Sequence, residues 1–180
     1  GLAFLLLEIA FIQRLTLFLG DPLRAAATAL AGFLFFAGLG SGSCEKLERR
    51  LGAPTLPAVL AGLALLALVY LLALGPLFRG LLGLPILLKI PIAVLLIAPL
   101  AFFMGMPFPL GLRRVARTRR QLVPWAWGVN GWASVLAAVL APLLAVHFGF
   151  STVIASGGAL YLAATSVLPA VPRKRSTADS

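Results

Sequence analysis

The sequence predicts an all-α fold, a bundle of six membrane-spanning helices, on three observations. Hydrophobic residues make up 61% of the 180 residues and charged residues only 11%, whereas a soluble domain has roughly 45–50% and about 25%. Six apolar stretches are each long enough to cross the ~30 Å hydrocarbon layer as a helix of about 20 residues. Eleven of the fifteen Lys and Arg residues fall in alternate connections, which is the pattern of basic residues retained on the cytoplasmic side.

The predicted spans, in chain order, are residues 1–19, 23–42, 54–78, 86–112, 123–146 and 150–171. Gly20-Asp21-Pro22 predicts a tight turn after the first span, because proline restricts the residue before it. The second connection, residues 43–53, is polar, and the third, residues 79–85, is short and glycine-rich. Short connections make consecutive helices neighbours, so a compact bundle follows.

The distribution of charge predicts an orientation and a partner. The basic residues of the alternate connections are Lys46, Arg49, Arg50, Arg113, Arg114, Arg117, Arg119, Arg120, Arg173, Lys174 and Arg175. With these connections inside, both ends of the segment face the cytoplasm, residues 1–172 form the membrane domain, and residues 173–180 form a basic cytoplasmic tail. The net charge of +10 predicts contact with anionic lipid headgroups and not with nucleic acid, since no aromatic-lined groove accompanies it. Because an apolar span is already under way at Gly1, the sequence is expected to be a piece of a longer protein.

Four polar residues inside the predicted spans are candidates for an intramembrane polar or substrate path. Glu8 lies twelve residues before Gly20, roughly 18 Å along a helix, and a carboxylate at that depth marks an ion, proton or substrate path. Its alternative role is a protonated side chain that bonds across a helix interface. Gln13 and Arg14 follow on the same span, and Arg14 is also placed to reach the headgroups. Asn130 is a candidate for ligand contact or for an interhelical hydrogen bond, beside glycines that would let another helix approach.

A second candidate feature is a helix break near the end of the fourth span. Gly105, Pro107 and Pro109 stand in the run Gly-Met-Pro-Phe-Pro-Leu-Gly, and each proline removes a backbone donor and crowds the preceding turn. The break predicts either a hinge or an ordered helix end at the cytoplasmic interface. Lys89, at the start of this span, is expected to extend to the outer surface.

The sequence predicts no catalytic residue, metal or cofactor. It contains no paired carboxylates, no histidine-based nucleophile system and no cluster of metal ligands. Cys44 and His147 are the only residues of their types.

Residues 41–50, Ser-Gly-Ser-Cys-Glu-Lys-Leu-Glu-Arg-Arg, resemble the charged loop between the second and third helices of a major facilitator superfamily half. The residues that match this loop motif are Glu45, Lys46, Arg49 and Arg50. Ser41 and Glu48 stand where that family has glycines. The resemblance implies the architecture of one half of a major facilitator-type transporter.

Three further segments resemble the membrane part of large bacterial spermidine synthase-like proteins. They are residues 8–20 (Glu-Ile-Ala-Phe-Ile-Gln-Arg-Leu-Thr-Leu-Phe-Leu-Gly), 105–111 and 127–131 (Trp-Gly-Val-Asn-Gly). In that family, transporter-like helices are fused to an aminopropyltransferase-like Rossmann domain. The resemblance implies a place in the bacterial inner membrane and, as partners, a second transmembrane half, a cytoplasmic Rossmann-type domain of the same protein, or both. The implied function is a transporter-like module for polyamines or another small polar solute; the alternative is an anchor for the enzyme domain.

Overall fold

In a computed structural model, which describes residues 1–52 and 54–167, the chain folds into seven α-helices and one 3₁₀ turn, with no strand in the described part. The helices are α1 (Leu2–Leu19), α2 (Pro22–Leu51), α3 (Thr55–Leu81), α4 (Ile86–Met104), α5 (Pro107–Thr118), α6 (Val123–Phe148) and α7 (Phe150–Val167). The 3₁₀ turn, Arg120–Leu122, joins α5 to α6. The all-α prediction is confirmed for these residues.

Five helical segments of the described chain are long and apolar enough to cross a membrane. They are Leu2–Leu19, Pro22–Leu51, Thr55–Leu81, Ile86–Thr118 (α4 together with α5) and Arg120–Phe148. The apolar part of α7, Phe150–Ser166, is shorter. Large apolar side chains also cover the outside of the bundle, among them Leu87 and Val146, which are each 81% exposed. Helices that are apolar on all sides are typical of membrane spans, so the fold is that of a multi-pass membrane protein.

Helix α1 lies in the middle of the bundle and packs against α2, α6 and α7. It is also the most buried of the five apolar segments. Phe11 of α1 packs edge-on against Phe33 of α2 and with tilted ring planes against Tyr70 of α3, in both cases at a centroid distance of 5.6 Å. Around it, α2 packs against α4 and α3 packs against α7. Polar residues on α1 are therefore enclosed by the fold.

The turn between α1 and α2 follows from three residues that favour it. Gly20 has φ +73°, a left-handed conformation that glycine adopts without a Cβ clash, and its N–H donates to the Thr16 carbonyl. The Asp21 carboxylate accepts hydrogen bonds from the N–H groups of Leu23 and Arg24, which satisfies donors at the start of α2. This turn places the end of α1 and the start of α2 at the same end of the bundle.

Helix α2 is longer than the sequence indicated. Residues 43–53 were expected to form a polar connection, but α2 continues to Leu51 and ends at Gly52. This part of the chain contains no proline, Ser43 Oγ donates to the Leu39 carbonyl, and Glu45 pairs with Arg49 one turn later. Because such i,i+4 pairs stabilise a helix, the polar composition marks the end of the apolar layer and not the end of the helix. Placing the loop motif in a loop was wrong: Glu45, Lys46, Arg49 and Arg50 lie on the last turns of α2.

The fourth predicted span is divided into two helices, as the prolines indicated. Helix α4 ends at Met104 and α5 begins at Pro107, so the break lies at Gly105 and Met106. The second of these helices, α5, continues six residues beyond the predicted end at Leu112, so Arg113, Arg114 and Arg117 lie on a helix and not in a connection. Two other predicted ends are close to those in the structure: α3 extends three residues beyond Phe78, and α6 two beyond Val146. The expected end of the last span at residues 168–171 lies outside the described residues. So does the tail, with Arg173, Lys174 and Arg175.

We call the end of the bundle that carries Arg113–Arg120 the arginine-cluster end. It brings together the start of α1, the end of α2, α5 and the start of α6. The other end, where α1, α3 and α6 finish and α2, α4 and α7 begin, is the opposite end. Contacts across helices support this division, since Glu48 of α2 meets Arg113 of α5 and Arg14 of α1 meets Ser151 of α7.

Candidate functional site

Glu8 is buried within the bundle and has no polar partner among the described residues. The residue is 6% exposed, and its carboxylate makes no hydrogen bond or ion pair within residues 1–52 and 54–167. Gly1 lies so close to the Asn130 carbonyl and the Ser134 hydroxyl of α6 that a Cβ would overlap them. Glu8 is two turns further along nearly the same face of α1. The carboxylate is thus placed on the side of α1 that faces α6.

The part of α6 at that level is apolar. Ala137 and Ala141 follow Asn130 and Ser134 by seven residues each, and both are fully buried. Alanine offers neither a hydrogen-bond donor nor a charge to a carboxylate, and an unpaired carboxylate in an apolar setting is costly. The interhelical bond that was one of the two roles considered for Glu8 is therefore not formed in the described structure.

Gln13 and Arg14 point away from Glu8. Five residues separate Gln13 from Glu8 and six separate Arg14 from it, which on a helix corresponds to rotations of about 140° and 120°. Arg14 Nη2 donates to Ser151 Oγ of α7 at 3.0 Å, and its guanidinium lies over the Phe150 ring at 5.8 Å. Gln13 Oε1 and Arg14 Nε are buried without a hydrogen-bond partner among the described residues. The expected single polar path is thus divided between two sides of α1.

Asn130 lies at the arginine-cluster end and takes no part in a shared site with Glu8. Its carbonyl accepts a hydrogen bond from Ser134 Oγ at 3.0 Å within α6, while its half-buried side chain makes none in the described part of the chain. A Cβ at Gly128 or Gly131 would meet no atom within 4 Å. The expectation that a helix packs on these glycines is therefore wrong for the described residues.

The helix break is tightly enclosed by α2. A Cβ at Gly105 would overlap the Ala37 carbonyl, and one at Gly40 would overlap the Phe102 carbonyl, so the two backbones touch at both places. Cys44 of α2 also approaches the Met106 carbonyl, with Sγ at 3.8 Å. Such reciprocal backbone contact favours an ordered helix end over a moving hinge. Pro107 and Pro109 lie in the first turn of α5, where a missing N–H costs no intrahelical bond.

A cavity of about 890 Å³ opens at the arginine-cluster end; we call it the basic cavity. Its charged and polar lining comprises Glu45, Glu48, Arg49, Thr55, Arg113, Arg114, Arg117, Thr118 and Arg119. Glu48 forms ion pairs with Arg117 at 2.9 Å and with Arg113 at 3.5 Å. The loop motif therefore contributes Glu45 and Arg49 to the cavity, whereas Lys46 and Arg50 do not line it.

A second pocket, of about 550 Å³, lies at the opposite end; we call it the arginine pocket. Its polar side chains belong to Arg14, Arg79 and Ser151, and its apolar lining includes Leu17, Phe18, Leu71, Pro76, Phe78 and Leu82. The sequence did not predict that Arg79 and Ser151 lie beside Arg14, because both are distant from it in the chain. The signal available in the sequence was charge. Arg14, Arg79 and Lys89 are cations near the connections of the opposite end, where the predicted topology has few basic residues.

These positions define what chemistry the described residues can perform. They contain no group of three or more His, Cys, Asp or Glu side chains placed to hold a metal ion. Glu8 lines neither cavity, so it is a separate buried acidic position. The functional candidates are accordingly three: Glu8, the basic cavity and the arginine pocket.

Comparison of the chain with known protein families, with curated proteins and with solved structures gives no match in any of the three.

Proposed function

We propose that this chain is a transporter-like module of the bacterial inner membrane, one half of a major facilitator-type bundle, that handles a small polar solute. The resemblance to spermidine synthase-like membrane proteins makes a polyamine the first solute to test. In this proposal the chain crosses the membrane six times, with α4 and α5 forming one crossing and α7 the sixth. The eighteen residues of α7 extend about 27 Å as a helix, which is close to the hydrocarbon thickness.

The observation that supports transport most directly is the state of Glu8. A carboxylate with 6% exposure and no partner is expensive to keep in the hydrocarbon region, and such residues are typical of ion, proton or substrate paths. This carboxylate has no positively charged partner in the described structure. A polyamine or a proton would supply that positive charge. We assign Glu8 the role of the intramembrane binding group for such a cation.

The orientation proposed for this module follows from its basic residues. Residues of the arginine-cluster end face the cytoplasm under the positive-inside rule, so the basic cavity opens inward and the arginine pocket outward. Transporters of this type pair two six-helix halves around a central site. Because Glu8 is buried within this half, its cation would reach it between α1 and α6 and not at a surface of the half.

Uptake of labelled spermidine into membrane vesicles that contain the whole parent protein, with its second transmembrane half, tests the role of Glu8. We expect Glu8→Gln, which keeps the shape and removes the charge, to lower uptake by at least about tenfold, the effect of losing one charge-assisted contact. Asp21→Asn is the matched control, because it makes the same carboxylate-to-amide change at a half-buried residue that lines neither cavity, and asparagine also caps a helix. Equal uptake in wild type and Glu8→Gln would remove Glu8 from the mechanism, and no uptake by wild type would reject polyamine transport.

A second function, a membrane anchor for a cytoplasmic aminopropyltransferase-like domain, is favoured by the basic cavity. Its arginines lie beyond the apolar spans, where anionic headgroups or a soluble domain can reach them. Removal of residues 1–172 from the parent protein would then leave catalysis on a soluble substrate unchanged and shift the protein out of the membrane fraction. Loss of catalysis after this removal would contradict the anchor function.

A further inference from the structure

The arginine pocket combines two cationic side chains and one hydroxyl from three helices. Arg14 comes from α1, Arg79 from the last turn of α3 and Ser151 from the first turn of α7. Arg14 Nη2 is fixed by the Ser151 hydroxyl at 3.0 Å, and Arg79 Nε reaches the Gly75 carbonyl at 3.4 Å. Both guanidinium groups are thus oriented by uncharged oxygens and retain further N–H groups.

No carboxylate among the described residues balances these charges. Asp21, at the same end of the bundle, is engaged with Arg24 and with the first turn of α2. Glu45 and Glu48 pair with arginines at the arginine-cluster end, and Glu8 is on another side of α1. A third cation adds to the imbalance, since Lys89 Nζ lies 5.4 Å from the centroid of Phe18, a residue that lines the pocket.

Arg14 also has a buried N–H group that is not hydrogen-bonded to any described residue. Arg14 Nε has no hydrogen-bond partner among the described residues, and the guanidinium lies against the Phe150 ring. A buried donor without an acceptor is destabilising by about 1–3 kcal/mol, and by more for a charged group. An anion beside the guanidinium would supply the opposite charge that no described residue provides.

The shape of the donors and the apolar lining indicate the class of anion. The planar fork of arginine matches phosphate and carboxylate oxygens and binds them in pairs. Leu17 and Leu82 line the same pocket and are 66% and 51% exposed, so apolar surface continues from the arginines to the outside of the bundle. A phosphate on a lipid headgroup has acyl chains that fit this surface, whereas a free phosphate would use the arginines alone.

We infer that the arginine pocket is a binding site for a phosphate group, held by Arg14 and Arg79. This inference is independent of the transport proposal, because Glu8 faces α6 and is not part of the pocket. Binding of a phosphate here would join the ends of α1 and α3 to the start of α7 through one ligand. The site would thereby stabilise the opposite end of the bundle.

Titration of the purified chain in a neutral detergent tests the site with two probes at constant ionic strength. Inorganic phosphate represents a free anion, and dihexanoyl phosphatidylglycerol represents a lipid headgroup. We expect saturable binding of at least one probe, measured by calorimetry, and a loss of about tenfold or more in affinity in Arg14→Gln and in Arg79→Gln. Binding of inorganic phosphate would identify a free-anion site, and binding of the lipid alone a headgroup site.

Arg24→Gln is the matched control, since it removes one positive charge at the same end from a residue that does not line the pocket. Its affinity for either probe is expected to stay within about twofold of wild type, because exposed charges are largely screened. If Arg14→Gln does not fold, Arg79→Gln decides the test, because Arg79 is exposed at the end of α3. Absence of saturable binding by wild type, or equal affinity in wild type and Arg79→Gln, would overturn the site. An equal loss of affinity in Arg24→Gln would also overturn it.

Discussion

The two ends of the helix bundle treat their arginines differently. At the arginine-cluster end, Arg113 and Arg117 of α5 share the carboxylate of Glu48 on α2. At the opposite end, Arg14 and Arg79 hydrogen-bond to uncharged oxygens of the described residues, the Ser151 hydroxyl and the Gly75 carbonyl. Arg113 and Arg117 therefore join two helices through a carboxylate, whereas no carboxylate of the described residues joins Arg14 and Arg79 to a neighbouring helix. The partner of an arginine, and not its presence alone, thus indicates whether it stabilises the fold or is available to a ligand.

The ends also differ in how closely their helices approach. Backbone touches backbone where Gly105 meets Ala37 and Gly40 meets Phe102. At the opposite end the helices meet through side chains, as in the stack of Phe18 on Phe78 at 4.6 Å. Contact between backbones tolerates no added atom, whereas contact between side chains can adjust.

The largest effect is expected where the backbones touch. Gly105→Ala places a methyl group on the Ala37 carbonyl and should lower the free energy of unfolding by about 1–3 kcal/mol or more, the cost of overpacking. The thermal unfolding midpoint of the purified protein in detergent measures this loss. Gly75→Ala is the control at the opposite end, since the new methyl group would meet only Arg14 Nη1 at 3.9 Å. We expect its midpoint to be unchanged or raised, because alanine favours a helix, and equal losses in both variants would remove the difference in packing between the ends.

A smaller effect is expected from the ion pairs of the arginine-cluster end. Glu48→Gln removes the charge shared by Arg113 and Arg117 and should destabilise the fold by about 1 kcal/mol, the upper range for partly exposed pairs. The companion variant Glu45→Gln loses only the pair with Arg49 within α2 and should cost about 0.3–0.5 kcal/mol. Unfolding at low and high salt measures both, and the loss in Glu48→Gln should diminish as salt rises. A loss in Glu45→Gln as large as that in Glu48→Gln would show that contact between α2 and α5 is not the source.

The smallest effect is expected from the one charge pair described at the opposite end. Arg24→Gln breaks its contact with Asp21, whose side chain remains as the cap of α2. Because Arg24 and Asp21 are 57% and 38% exposed, the change in unfolding free energy should stay within about 0.5 kcal/mol. Chemical denaturation of wild type and variant side by side measures it. A loss above 1 kcal/mol would mean that charge pairing also stabilises this end, and the contrast between the ends would be weaker than proposed.

Local sequence information predicted the elements of the fold and few of the contacts. Long apolar runs and the glycine and proline at positions 20 and 22 placed α1 and α2, and Pro107 and Pro109 indicated the break after Met104. The length of α2 was missed because charged residues were taken as the sign of a loop, although Glu45 and Arg49 are one turn apart and support a helix. Sequence position alone therefore located helices but not every helix end.

The arginine pocket and the surroundings of Glu8 were harder to predict, since the residues of each meet only in the folded chain. Arg14 and Ser151 are 137 positions apart and bond directly, and no local pattern reports such a contact. Glu8 was recognised because a carboxylate in an apolar run is unusual. Its separation from Arg14 follows from helical geometry, whereas the position of Ala137 and Ala141 at the same level of the bundle follows only from the packing of α6 against α1.

The length of α2 determines how far this helix extends beyond the apolar layer of the membrane. Thirty residues make a rod of about 45 Å, roughly 15 Å longer than the hydrocarbon is thick. The ion pairs of Glu48 with Arg113 and Arg117 join the part of α2 beyond the hydrocarbon to α5. A soluble domain or ligand that contacts the end of α2 would therefore lie at a distance from the hydrocarbon that is set by the rise of the helix and not by a flexible linker.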